Sequence, residues 1–139
     1  MQTPAPTTSQ PIVGISSMAT RQLLNELTTA FTQQHGTAVR MESIGGVDAA
    51  KRVQAGEAFD VVVLASDAID KLIAAGHIVA SSKVDLVHSG VAAAVRAGAT
   101  APDISSEAAV RAAVLNAQSL SYSTGPSGVA LAKLFERWG

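Results

Sequence analysis

The 139-residue sequence contains no cysteine, one tryptophan, one tyrosine and three phenylalanines. The missing thiols exclude disulfides, thiolate nucleophiles and cysteine metal ligands, and they leave the redox compartment open. With aromatics at 4% and apolar residues at 47%, the core has to be assembled from Ala, Val, Leu and Ile. Charge is also scarce, at 15% against the usual ~25%. The formal net charge is −1 and no Lys/Arg cluster interrupts the chain, so the electrostatic signature of a nucleic-acid binder is missing. No apolar run approaches the ~18–20 residues that cross a bilayer. Residues 1–11 carry neither the basic nor the apolar part of a signal peptide and, with Pro4, Pro6, Thr7, Thr8 and Ser9, read as a mobile leader. There is no G-x-S-x-G elbow, Walker A loop or G-x-G-x-x-G. His35, His77 and His88 lie far apart without an i,i+4 pair, so neither a metal nor another cofactor is expected.

What the chain does contain is a repeated junction. The apolar run Ile12-Val13-Gly14-Ile15 meets Ser16-Ser17, and Thr20–Gln34 then places Leu23, Leu24, Leu27 and Phe31 on one helical face, with Gly36 as a stop. Ala38–Ile44 alternates as an outer strand, and Gly45-Gly46 leads into a helix over Val47–Ala55. Asp60–Leu64 is apolar on both faces, as a central parallel strand requires, and Ala65-Ser66-Asp67 opens a helix carrying Ile69, Leu72 and Ile73. Three strand–loop–helix units in succession imply parallel pairing through right-handed crossovers, with any ligand at the carboxyl ends of the strands.

Beyond residue 82 the rhythm changes. Lys83–His88 and Val91–Arg96 read as extended pieces of a hinge or crossover region over 83–97. Residues 98–139 read as the start of a second α/β group: a helix over Ala108–Asn116, a short strand Ser119–Tyr122, and a helix with Leu131, Leu134, Phe135 and Trp138 entered through Thr124-Gly125-Pro126-Ser127-Gly128. The pattern predicts one complete α/β lobe over 12–82 and a partial second lobe over 98–139.

Each junction has two readings. Ser17 either caps the helix that follows or offers its hydroxyl to an anion drawn by free amides and the helix dipole. Gly45-Gly46 is either punctuation or a place of close ligand approach. Asp48, Asp67 and Asp70 read as first-turn carboxylates that offset helix dipoles, and Arg40, Arg52 and Arg96 as solvated cations or carboxylate partners. The rim so defined comprises Ser16, Ser17, Gly45, Gly46, Val47 and Ser66, with Tyr122, Ser127 and Gly128 at the second-lobe junction. Ser17 and Ser127 have no neighbouring base that would make either a nucleophile.

The wording Ile12-to-Met18, then Ser43-Ile44-Gly45-Gly46-Val47-Asp48 through Gly56, then Phe59 to Asp67, resembles periplasmic solute-binding proteins of the molybdate type. The stretch from Tyr122 to Trp138 resembles their second-lobe strand, turn and helix. The resemblance implies two lobes closing on a small anionic ligand held by serine hydroxyls and backbone amides, a periplasmic location, and delivery to the membrane component of an ABC transporter. It implies contacts at Ser17, at the Gly45-Gly46-Val47 loop and at Ser127. The serine usual in that loop is replaced here by glycines, which argues against molybdate and for a larger or carboxylate-bearing anion. "GISSMA" and "SIGGVDAAKRVQAGE" resemble the related periplasmic aconitate isomerases more closely, and these imply proton abstraction beside a carboxylate by a general base. Family chains are longer. A fragment, a truncated non-binding remnant, or a homodimer that completes its lobes by exchange are the corresponding expectations.

Overall fold

A computed structural model describes residues 10–139. The expected leader therefore falls almost wholly outside the described residues. The chain divides into two units, one ending at Asp85 and one running Leu86–Gly139.

The first unit is an α/β sandwich built on three parallel strands: β1 (Ile12–Ser17), β2 (Val39–Ile44) and β3 (Val61–Val63). A 3-10 turn, Met18–Thr20, joins β1 to α1 (Arg21–His35); α2 (Gly46–Gln54) follows β2, and α3 (Ser66–Ala74) follows β3. Gly36 ends α1 in the left-handed region at φ 71°, its amide bonded to the Thr32 carbonyl at 2.9 Å.

The strand order is β2-β1-β3. This corrects the sequence expectation for Asp60–Leu64. Valine on both faces of a strand says that both faces are covered, not that both sides are paired, and β3 lies at an edge with Val61 41% exposed. The central strand is β1. Its register sets Ser16 beside Ser43 on one flank and Val63 on the other. Asp60 fixes the start of the β1–β3 ladder, its amide donating to the Val13 carbonyl and its Oδ2 accepting from the Val13 amide, both at 2.8 Å.

Side chains alternate across β1, so Ile15 and Ser16 serve opposite faces. Ile15 is fully buried with Ala49, Val53 and Leu72, and Ile44, Phe59, Val62, Leu64 and Ile78 pack around them. This α2–α3 side is the core. On α1 only Leu24 is buried, and Leu23, Leu27 and Phe31 remain 36–47% exposed. The amphipathic pattern was legible, but its burial is incomplete because α1 packs chiefly on edge strand β2 and the turn before it. At the far end of α2, Arg52 grips Glu42 at 2.8 Å and Glu57 through Nε at 2.6 Å, and its guanidinium lies 5.5 Å from the Phe59 ring centroid. Those hydrogen bonds raise the Arg52 pKa and lower that of Glu57.

The second unit contains α4 (Glu107–Asn116) and α5 (Pro126–Trp138). Ser106 caps α4, accepting from the Ala109 amide at 3.1 Å. Glu107 ties the two helices together, accepting from Trp138 Nε1 at 2.9 Å and from Arg137 at 3.0 Å. Tyr122, Phe135 and Trp138 form an aromatic row with centroid spacings of 5.9 and 5.6 Å. The predicted strand Ser119–Tyr122 and the extended pieces Lys83–His88 and Val91–Arg96 carry no strand pairing. Strand propensity without a neighbouring ladder leaves backbone groups to water, and no ladder exists in this unit among the described residues.

Candidate anion site

In a parallel sheet all strands leave by the same edge, so Ser17, Ile44 and Val63 deliver the chain to one rim. The three junctions of the first unit meet there. Ser16, Ser17, Gly45, Gly46, Val47 and Ser66 all lie on it, at the exits of β1, β2 and β3 and the starts of α2 and α3. Order reverses about β1, so the crevice between the β1 and β3 exits is the switch point of the sheet.

Two observations define the chemistry of this rim. First, its helix starts are uncapped by side chains. The cap residues of α2 and α3 are Gly45 and Ala65, which have no hydroxyl or carboxylate to offer. The first inward bonds are made by Ala49 in α2 and by Ala68 and Ile69 in α3, leaving the amides of Gly46, Val47, Ser66 and Asp67 directed outward. Second, Ser17 does not act as a cap. Its carbonyl accepts from Ser16 Oγ at 3.2 Å and Thr20 Oγ1 at 3.4 Å, and its own hydroxyl has no partner among the described residues. Gly46 lies against it: a Cβ at 46 would stand 3.5 Å from Ser17 Cβ.

Ser16 has another part. It is fully buried, and its hydroxyl meets Ser43 Oγ at 2.7 Å. This hydroxyl pair stitches β1 to β2 immediately below the rim. Ser43 is a residue the sequence did not single out. The signal was present, because a serine inside an apolar central strand needs a buried partner, and the parallel register supplies it from β2. Asp48 and Asp67 do sit in first turns, offsetting the helix dipoles. Asp70 does not: it lies in the middle of α3 and pairs with Lys83 at 2.6 Å. The rim thus offers neutral donors without a net positive charge.

In the second unit, Tyr122, Ser127 and Gly128 come together where α5 begins. Ser127 Oγ lies 2.8 Å from Ser123 Oγ, so its hydroxyl is already engaged. Gly128 is buried beneath the Ser123 carbonyl, where any Cβ would collide with backbone. The Tyr122 ring abuts Phe135. Among the described residues no cluster of His, Asp and Glu could hold a metal, and no helix is long and apolar enough to cross a membrane.

Comparison with known proteins agrees with this architecture. Over 83 residues the chain is 43% identical to a protein described as "Aconitate isomerase" from a Pseudomonas species; the match takes in 60% of this chain and 32% of that relative. The chain therefore spans about a third of the length of the curated relative it matches. No solved structure matches significantly. A profile of the family described as bacterial extracellular solute-binding protein matches residues 12–139. The α/β unit with its parallel sheet and the match over nearly the entire length lead to one conclusion: this chain belongs to the bacterial extracellular solute-binding protein family.

Proposed function

We propose that the chain binds a small anion at the carboxyl edge of its parallel sheet, for uptake through the membrane component of an ABC transporter in the periplasm. Ser17 supplies a hydroxyl donor, and the Gly46, Val47 and Ser66 amides supply backbone donors at two helix starts. Ser16 holds the floor through Ser43. Tyr122, Ser127 and Gly128 form the corresponding junction of the second unit. The observation that carries this reading is the coincidence, on one rim, of an unpartnered serine hydroxyl with two helix N-termini that lack side-chain caps. Glycines at 45 and 46 leave room for a carboxylate-bearing anion rather than a small tetrahedral one. Isothermal titration with molybdate, sulfate, citrate and the aconitates tests it: saturable binding of at least one anion is expected, and a folded sample that binds none of them refutes it.

A second reading is supported by the 43% identity to aconitate isomerase. In it the same rim orients a tricarboxylate while a base removes the proton beside a carboxylate, interconverting trans- and cis-aconitate. Ultraviolet absorbance of aconitate incubated with the protein separates the readings, since binding alone leaves the isomer ratio unchanged.

A further inference from the structure

Alongside the rim runs a groove of about 1050 Å3 between the start of α1 and edge strand β2. Met18, Arg21, Gln22, Asn25, Arg40 and Ser43 line it. It is joined to the rim at both corners: Met18 directly follows Ser17, and Ser43 is the residue whose hydroxyl holds Ser16. The groove is large for a lone tetrahedral oxyanion and lies just above the roughly 300–1,000 Å3 range of small-molecule sites.

One cation of the groove, Arg21, stands at the start of α1, next to the rim. Arg52 and Lys83 are each bound to carboxylates, whereas Arg21, like Lys51 and Lys71 on α2 and α3, has no ion-pair partner among the described residues; the register sets Arg40 on the face of β2 turned towards α2. Glu42 also lines the groove, but Arg52 holds its carboxylate at 2.8 Å. Arg21 and Asn25 stand one helical turn apart on the same face, so a guanidinium and a carboxamide look into the groove together. Ser43 lines the opposite wall, its hydroxyl engaged with Ser16. This set is rich in donors. A planar guanidinium is suited to two-point recognition of a carboxylate, a geometry the helix amides of the rim do not offer.

We propose that this groove is a carboxylate subsite and that Arg21 is the residue that selects polycarboxylates over simple oxyanions. The inference rests on the anion-binding reading of the rim. One carboxylate occupies the amides beside Ser17, and another, carried on the same short carbon skeleton, reaches Arg21. The groove accounts for a feature the rim leaves unexplained: neutral donors flanked by Asp48 and Asp67 repel a trianion unless cations stand nearby.

The test is titration of the full chain and of Arg21→Gln with propane-1,2,3-tricarboxylate, acetate and sulfate. Arg21 is exposed, so matching circular dichroism melts will establish that the variant folds. The expected result is a tenfold or greater loss of tricarboxylate affinity, with sulfate and acetate affinities within twofold of the original. Arg21→Lys should recover part of the loss. Equal weakening for every anion, no change for any, or a wild-type protein that binds sulfate but not the tricarboxylate would each overturn the subsite while leaving the rim intact. Failure of the wild-type chain to bind any of the three overturns the rim and the subsite together. Tricarboxylate binding that depends on Arg21 but is unaffected by Ser17→Ala retains the groove and removes the rim.

Discussion

Gly46→Ala separates the stability of the rim from its proposed use. Gly46 is the first residue of α2, and it is not among the glycines with positive φ, so alanine can adopt its backbone conformation. The added Cβ meets Ser17 Cβ at 3.5 Å, an ordinary van der Waals distance. Folding should therefore be unharmed. Removing a glycine's freedom from the unfolded chain at a compatible position stabilises by about 0.4–1 kcal/mol, which corresponds to a rise of ~1–4 °C in Tm for a chain of this size. Binding should move the other way. The methyl group stands against the Ser17 side chain at the start of α2, where the proposed anion must approach both residues. Loss of one hydrogen bond to a charged group costs about 1.5–3 kcal/mol, or roughly a 10- to 150-fold rise in Kd. Differential scanning calorimetry and isothermal titration on the same preparation provide both readouts. A raised Tm with a Kd within twofold of the original would refute the placement of the anion. A lowered Tm would refute the steric argument itself.

Two further outcomes follow from the geometry. Ser16→Ala removes the buried partner of Ser43 and should cost about 1–3 kcal/mol in urea unfolding, with the Ser16→Ala/Ser43→Ala pair recovering part of that loss because neither hydroxyl is then stranded; a double variant no more stable than Ser16→Ala alone contradicts this. In the second unit, the Trp138 hydrogen bond and then the Arg137 charge hold the Glu107 carboxyl below the usual glutamate range. A depressed folded-state pKa contributes stability that is present above the unfolded pKa and is lost as pH falls through the folded one. The emission of the single tryptophan should shift in acid, with a midpoint below that of an unperturbed glutamate, and Glu107→Gln should abolish the shift.

The first unit was the more legible half of the sequence, and for a physical reason. Its order comes from local signals: Leu24 at helical spacing, Gly36 as a left-handed stop, alternation across Val39–Ile44, and short junctions that admit only parallel crossovers. From these the convergence of Ser17, Gly45, Gly46 and Ser66 on one rim could be read without coordinates. Lateral position could not, because Val61, Val62 and Val63 look alike at the centre and at the edge of a sheet. Nor could the Ser16–Ser43 pair or the company of Arg21, which depend on register and on which side of β2 faces α1. The second unit was less legible. Ser119–Tyr122 has the composition of a strand, but its pairing depends on chain distant in sequence, whereas α5 followed directly from Pro126 and the apolar spacing of Leu131, Leu134 and Phe135.

The two borders of the sheet are dressed differently. Along β2, Arg40 and Glu42 stand as charged sentries, and Glu42 is already committed to Arg52. Along β3 there are only three valines, with no strand on their outer side among the described residues. Charge deters lateral growth, while bare aliphatic backbone invites it. Of the two edges, Val61–Val63 is therefore the less guarded against an additional strand, and Val39–Ile44 the more guarded.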